Sequence, residues 1–158
     1  MSGNVLLTVG SVLRGDDAAG PLLAKLMTDS PVEGWSVVDG GQCPEDELGF
    51  IRRLEPDTVL VFDAADMGLE PGAVRRLTAD DVATSCLVST HTIPITFLLH
   101  EIEGMADHVV FLGVQPADTS FFGPLTPAVR ESVEVLCSLI SSGGDWENYR
   151  LVNGEDGA

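Results

Sequence analysis

Short runs of branched apolar residues alternate along the chain with segments in which apolar residues recur every three or four positions. Most of the runs end in Gly or Asp, and their continuous apolar character predicts strands buried on both faces of a parallel sheet. The segments with a spacing of three or four predict amphipathic helices. The predicted strands are 4–9, 35–39, 58–63 and 108–113 with an edge strand at 73–77, and the predicted helices are 18–27, 44–54, 79–83, 93–103 and 127–141.

The order of these elements, in which strands are followed by helices, predicts an α/β fold. We expect a three-layer sandwich: a mostly parallel, twisted sheet of five strands with helices on both faces, joined by right-handed crossovers. The length of 158 residues suits one compact domain. We place that domain at residues 1–144 and expect residues 145–158 to form a flexible C-terminal tail. Ligands of such sheets bind at the carboxyl ends of the strands, so we expect a functional site in the loops there.

The composition disfavours several kinds of partner. Eight Lys and Arg against 25 Asp and Glu give a formal charge of -17, which would repel nucleic acid and anionic membrane surfaces. No apolar run approaches the roughly 20 residues that cross a bilayer, and the residues after Met1 lack the basic region of a secretory signal. The 3 cysteines form no CxxC pair, so neither a disulfide framework nor a zinc knuckle is indicated. We expect a cytoplasmic protein without membrane insertion.

Three polar groups are expected to meet at one edge of the predicted sheet. Asp17 follows the first strand, Asp63 ends the third, and His91 lies in the polar segment Ser89–Thr92. Two carboxylates and an imidazole can bind a divalent transition metal and leave coordination positions open for water or a substrate. A metal held in this way polarises a carbonyl group or lowers the pKa of a bound water. The pattern therefore predicts a hydrolytic metal site.

Each of these residues also has a structural interpretation. Asp17 could cap the helix that follows it, Asp63 could bond the turn after its strand, and His91 could be an ordinary loop histidine. Asp16 offers a second carboxylate, but neighbouring side chains diverge at a helix start, so we expect only Asp17 to point inward. The loop Gly10–Gly15 is not GxGxxG and lacks a Lys-Ser/Thr ending, so nucleotide binding is not indicated. The convergence of the three side chains carries the interpretation.

An ordered set of motifs runs through nearly the whole chain. Its members are Val9-Gly10-Ser11, Gly15-Asp16-Asp17-Ala18-Ala19-Gly20-Pro21, Asp39-Gly40-Gly41, Phe62-Asp63-Ala64-Ala65-Asp66-Met67-Gly68, Ser89-Thr90-His91 and Phe111-Leu112-Gly113-Val114-Gln115-Pro116. In this set the chain resembles the hydrogenase-maturation endopeptidases, which trim the C-terminal extension from the large subunit of nickel-iron hydrogenases. The branch that serves energy-converting hydrogenases of the formate-hydrogenlyase type is the most similar in three segments: Asp66-Met67-Gly68-Leu69, Thr90-His91-Thr92-Ile93-Pro94 and Leu112-Gly113-Val114-Gln115-Pro116.

The resemblance implies a set of site residues and a partner. The family's metal contacts are an acid after the first strand, an acid after the third and a histidine, which fall on Asp17, Asp63 and His91. It further implies that the nickel belongs to the substrate, a hydrogenase large-subunit precursor cut near its nickel-binding cysteine motif. The backbone of Asp39–Gly41 would help to receive the substrate segment. Ser11 departs from the family, which usually has Asn there, but both residues can bond a local turn.

Two other functions remain open from the residues themselves. One is a broad metallopeptidase or amidase with its own resident zinc, although HExxH is absent. The other is a non-catalytic factor of flavodoxin-like architecture that holds the precursor or binds nickel. Stoichiometric zinc in the purified protein would identify the first, and binding of a precursor without release of a fragment would identify the second.

Overall fold

The structure is a computed structural model in which residues 3–84 and 95–152 are described. The strands are β1 (Asn4–Thr8), β2 (Trp35–Asp39), β3 (Thr58–Ala64), β4 (Val74–Leu77) and β5 (His108–Val114). The α-helices are α1 (Ala19–Asp29), α2 (Leu48–Leu54), α3 (Ala79–Thr84), α4 (Ile95–Glu103) and α5 (Pro127–Ser141), and single 3-10 turns span Gly15–Ala18, Pro44–Glu47 and Trp146–Asn148. The predicted helices at 18–27 and 44–54 therefore each begin with a 3-10 turn.

In the described part of the chain the sheet has 5 strands in the order β2-β1-β3-β5-β4. All neighbours are parallel except β4, which runs antiparallel to β5 at the edge. This confirms the predicted sheet of mostly parallel strands. The chain moves from β1 outward to β2 and then returns across β1 to β3, so the direction of winding reverses between β1 and β3.

Helices cover both faces of the sheet, which confirms the three predicted layers. On one face, α1 and α5 pack on β1, β3 and β5; on the other, α2 and α4 pack on the same three strands. The central strands are apolar on both sides for this reason, and alternate residues belong to opposite cores. Leu6, Leu60 and Phe62 face α1 and α5, whereas Leu7, Val59 and Val61 face α2 and α4. No helix in residues 3–84 and 95–152 is long and apolar enough to cross a membrane.

The segment after α5, where we expect a flexible tail from residue 145, contacts the core and the edge of the sheet. Trp146 is buried, and its ring meets that of Trp35 edge-on at a centroid distance of 5.2 Å. Further on, the Arg76 amide donates to the Arg150 carbonyl at 2.7 Å and the Val152 amide donates to the Arg76 carbonyl at 3.0 Å. One indole and a pair of edge hydrogen bonds thus attach residues 145–152 to the domain, and the boundary at residue 144 stays a prediction. Residues 153–158 lie outside the described part.

Candidate active site

The reversal of winding opens a crevice at the carboxyl ends of β1 and β3. The Val9 amide, just after β1, donates to the Phe62 carbonyl of β3 at 3.0 Å, so the two strand ends remain paired up to this point. Beyond it, the loop after β1 leads to α1 on one face, whereas the chain that follows β3 leads to the edge of the sheet. Loops that part in this way leave room for a ligand between them.

Asp17 lies in the 3-10 turn Gly15–Ala18 and lines this crevice. Its Oδ2 accepts a hydrogen bond from the Ser11 amide at 3.0 Å, and the side chain is 7% exposed. Helix α1 begins after Ala18 without a side-chain cap bond, so capping is not the role of Asp17. The Ser11 hydroxyl in turn accepts the Leu13 amide at 3.2 Å, which is the local turn bond expected of Ser or Asn there.

Asp63 is the penultimate residue of β3 and is 2% exposed. Strand alternation places its side chain on the face of Val59 and Val61, the face that α2 and α4 cover. The last residue of α4, Glu103, lines a pocket together with Val109, near the start of β5. The first residue of α4, Ile95, therefore lies towards the carboxyl ends of the strands. Asp63 and the beginning of α4 therefore share one face and one edge of the sheet.

His91, the third predicted ligand, lies outside the described residues, as do Ser89 and Thr90. In the sequence it precedes α4 by only a few residues. Among residues 3–84 and 95–152, no group of three or more His, Cys, Asp or Glu side chains could hold a metal ion. Asp17 and Asp63 are placed at adjacent strand ends, and a site with three ligands requires a residue from beyond the described ranges.

Asp16 points into the protein as well, contrary to the expectation that only Asp17 would point inward. It has no exposed surface, and its carboxylate accepts the Ala117 amide at 2.8 Å, the Thr126 amide at 2.7 Å and the Thr126 hydroxyl at 2.9 Å. Hydrogen bonds to an ionised acceptor are about twice as strong as neutral ones. Asp16 thus fastens the loop after β5 to the turn that carries Asp17.

We therefore expect the two neighbouring carboxylates to respond differently to amidation. Asp16→Asn should lower the free energy of unfolding by about 2–3 kcal/mol, because an amide NH2 would face the buried donors of Ala117 and Thr126. Asp17→Asn should cost about 1 kcal/mol or less, because one neutral oxygen can still accept the Ser11 amide. Urea unfolding of both variants checks this. Equal stability of the Asp16→Asn variant and the starting protein would contradict the fastening role.

A pocket of about 230 Å³ lies between the loops after β1, β3 and β5. Asp17, Asp66 and Asp118 contribute carboxylates to its wall, together with Gln115. Hydrogen bonding from Ser120, whose amide lies 2.9 Å from Oδ1 of Asp118, lowers the pKa of Asp118 below its ordinary value. The wall therefore carries negative charge at neutral pH, which suits a substrate that brings a cation.

Gln115 is a site residue whose role the sequence did not reveal. The side chain is 6% exposed, its Oε1 accepts the amides of Met67 at 2.6 Å and Leu69 at 3.2 Å, and its Nε2 donates to Asp66 Oδ1 at 3.1 Å. These bonds tie the loop after β3 to the end of β5. The available signal was a glutamine directly after a buried apolar strand, where a polar side chain is retained only if it is bonded.

The loop Asp39–Gly41 is anchored to the end of β1. Asp39 Oδ1 accepts the Gly41 amide at 3.1 Å, and the Gly10 amide donates to the Gly41 carbonyl at 2.9 Å. A Cβ on Gly40 would lie 2.8 Å from the Thr8 carbonyl oxygen, whereas a Cβ on Gly41, at φ +56°, would meet nothing within 4 Å. Gly40 is thus packed, and the backbone of Gly41 is open to an approaching chain.

The chain matches the family model of the hydrogenase maturation proteases (HycI) over residues 22–142. It belongs to this family. The hydrogenase 3 maturation protease of Escherichia coli K12 is 41% identical over 133 residues, which cover 84% of this chain and 85% of that one. The match confirms the resemblance drawn from the motifs, including its branch.

Solved structures of hydrogenase maturation proteases share the fold. The solution structure of the endopeptidase HycI from E. coli superposes with a TM-score of 0.88 and 36% identity, covering 98% of this chain and 99% of that one. The crystal structure of the nickel-iron hydrogenase maturation protease HycI from Thermococcus kodakarensis gives a TM-score of 0.79 and 28% identity, covering 93% and 94%. The family match confirms the predicted hydrogenase-maturation endopeptidase and favours it over a non-catalytic holding factor.

Proposed function

We propose that this endopeptidase removes the C-terminal extension of a nickel-iron hydrogenase large-subunit precursor after nickel has been inserted. Its relatives are named as maturation proteases of hydrogenase 3 and of nickel-iron hydrogenase. The observation that carries the proposal is the position of Asp17 and Asp63, two largely buried carboxylates at adjacent strand ends where the winding of the sheet reverses. The substrate of such a site is a protein segment that brings its own metal ion.

In this proposal Asp17, Asp63 and His91 bind the nickel of the precursor. Carboxylate oxygens and an imidazole nitrogen are suitable ligands for a borderline divalent ion, and three of them leave positions for the ligands that the precursor already supplies. A shared ion would also explain how the enzyme distinguishes a loaded from an empty precursor. Each side contributes only part of the coordination, so stable docking requires the nickel.

Docking through nickel would fix one peptide bond of the precursor beside the crevice. Hydrolysis then adds the hydroxyl of a water to the carbonyl carbon and its proton to the departing amine. Holding the bond and the water in one geometry converts an encounter in solution into an intramolecular step. The nickel either activates the water or positions the segment; both roles use the same three ligands.

We propose that the exposed backbone of residues 39–41 binds the extended segment of the precursor next to the cleaved bond. Gly41 presents backbone without a side chain, so a peptide can approach it closely. The hydrogen bond that the Gly41 amide donates to the Asp39 carboxylate holds that backbone in place. Asp39, Gly40 and Gly41 thereby support the substrate without taking part in the chemistry.

We place the reaction in the cytoplasm. Cys43 and Cys137 are free thiols in the structure, and Cys43 is exposed. Thiols of this kind persist in reducing compartments.

We expect cleavage of a nickel-loaded precursor and none of the nickel-free form. The purified protein is incubated with both forms of the precursor from its host, and release of the extension is followed by mass spectrometry. The docking argument makes nickel a condition of binding, so the two forms should differ both in cleavage and in complex formation. Equal cleavage of both forms would contradict the role of nickel, and cleavage of neither would contradict the proposed function.

A further inference from the structure

Four apolar side chains project into solvent from the two loops that contribute Asp17 and Asp118 to the pocket. Val12 is 70% exposed, Leu13 49%, Phe121 60% and Phe122 83%. We call these four residues the aromatic rim. Val12 and Leu13 belong to the loop that carries Asp17, and Phe121 and Phe122 belong to the loop whose earlier residues line the pocket.

The rim has a defined structure despite its exposure. The Phe122 amide donates to the Leu13 carbonyl at 2.7 Å, which joins its two loops. The rings of Phe121 and Phe122 are 5.9 Å apart, and the guanidinium of Arg14 lies 4.1 Å from the centre of the Phe121 ring. The same two loops are also joined by the hydrogen bond that the Thr126 amide donates to Asp16. The rings are therefore presented from a fixed base.

Phe122 is held in an unfavourable backbone conformation. Its φ is +61°, in the left-handed region that bulky residues rarely adopt. A phenylalanine that is both strained and the most exposed large apolar residue in the described part of the chain contributes little to folding. Backbone strain of this kind is concentrated at ligand contacts, where the surrounding structure maintains it for function.

We propose that the aromatic rim is the docking surface for the precursor, and that it binds an apolar patch of the folded large subunit beside the cleavage segment. This inference rests on the proposed function. Phe121 follows the pocket residue Thr119 by two positions, and Leu13 belongs to the loop that carries Asp17, so a protein whose segment enters the pocket would also meet the rim. A second copy of the chain is the other simple occupant, but each copy carries a formal charge of -17, and two copies would repel.

The single variant Phe122→Gly tests whether the rim binds the precursor. Glycine adopts a positive φ without strain and retains the amide bond to Leu13, so the melting temperature should not fall. The loss of an aromatic anchor should weaken binding of the precursor roughly 10-fold or more. Phe50→Ala is the control and should leave binding unchanged, because Phe50 is 45% exposed on α2, which covers the face of the sheet opposite α1 and α5.

The experiment measures binding of nickel-loaded precursor to immobilised protein, kcat and KM for its cleavage, and sedimentation of the protein alone. Weaker binding and a higher KM for Phe122→Gly, with kcat and melting temperature unchanged, support the rim as the docking surface. Binding equal to that of the starting protein overturns it. Self-association that Phe122→Gly abolishes also overturns it, since the rim would then join two copies. If the starting protein binds but does not cleave, the proposed function fails, while binding still decides the role of the rim.

Discussion

The variants Asp63→Asn and His91→Ala are expected to cleave nickel-loaded precursor more slowly than the starting protein by a factor on the order of 10²–10⁴. Asp63 is buried near the end of β3, and an amide there keeps the shape but removes the charge that would bind nickel or take a proton. His91→Ala removes the only nitrogen ligand of the proposed set. Single-turnover cleavage, followed by mass spectrometry, measures both rates.

Combining the substitutions tests whether the residues act on one ion. If Asp17, Asp63 and His91 hold the same nickel, a variant that lacks two of them should be about as slow as the slower single variant, because groups that act as a unit are not additive. Asp29→Asn is the matched control, since Asp29 lies on the surface in an ion pair with Lys25 at 2.9 Å. Normal cleavage by His91→Ala would show that the ligand assignment is wrong.

The sequence predicted the strands and helices well because their signal is local. The apolar run 58–63 has to be a strand buried on both faces, and the structure places it at the centre of the sheet, between β1 and β5. The alternation of strands and helices also predicted which edge of the sheet carries the site, since parallel strands bring their carboxyl ends together. Asp17 and Asp63 could be singled out on these grounds before any contact was known.

Other features depend on partners that are distant in sequence. Asp16 and Asp17 are adjacent acids, and what distinguishes them is a hydrogen bond that the Thr126 amide, 110 residues further on, donates to Asp16. The burial of Trp146 depends in the same way on Trp35, at the start of β2. Neither pairing leaves a periodic pattern in the chain. The contacts of residues 145–152 could therefore not be predicted, and the flexible tail and the place of His91 both stay predictions.

Gly20→Ala is expected to lower the free energy of unfolding by about 3 kcal/mol, although alanine is the better helix former. A Cβ on Gly20 would lie 2.3 Å from the carbonyl oxygen of Val9 and 3.0 Å from its amide nitrogen. Both atoms belong to the backbone at the end of β1, so the clash cannot be relieved by a change of side-chain rotamer. The start of α1 would have to move away from the sheet, and Asp17, three residues earlier, would move with it.

Gly49→Ala provides the control, because the free energy of unfolding should change in the opposite direction. Gly49 is the second residue of α2, as Gly20 is of α1, and a Cβ on it would meet only the end of the Arg53 side chain at 3.7 Å. Gly49→Ala should therefore stabilise the protein by about 0.5–1 kcal/mol. Chemical denaturation of the two variants measures the difference. If both variants were more stable than the starting protein, the close approach of α1 to β1 would be contradicted. The role of Gly20 would be contradicted as well. A glycine at this position lets the helix begin against the end of the strand, so that Asp17, three residues earlier, reaches the crevice.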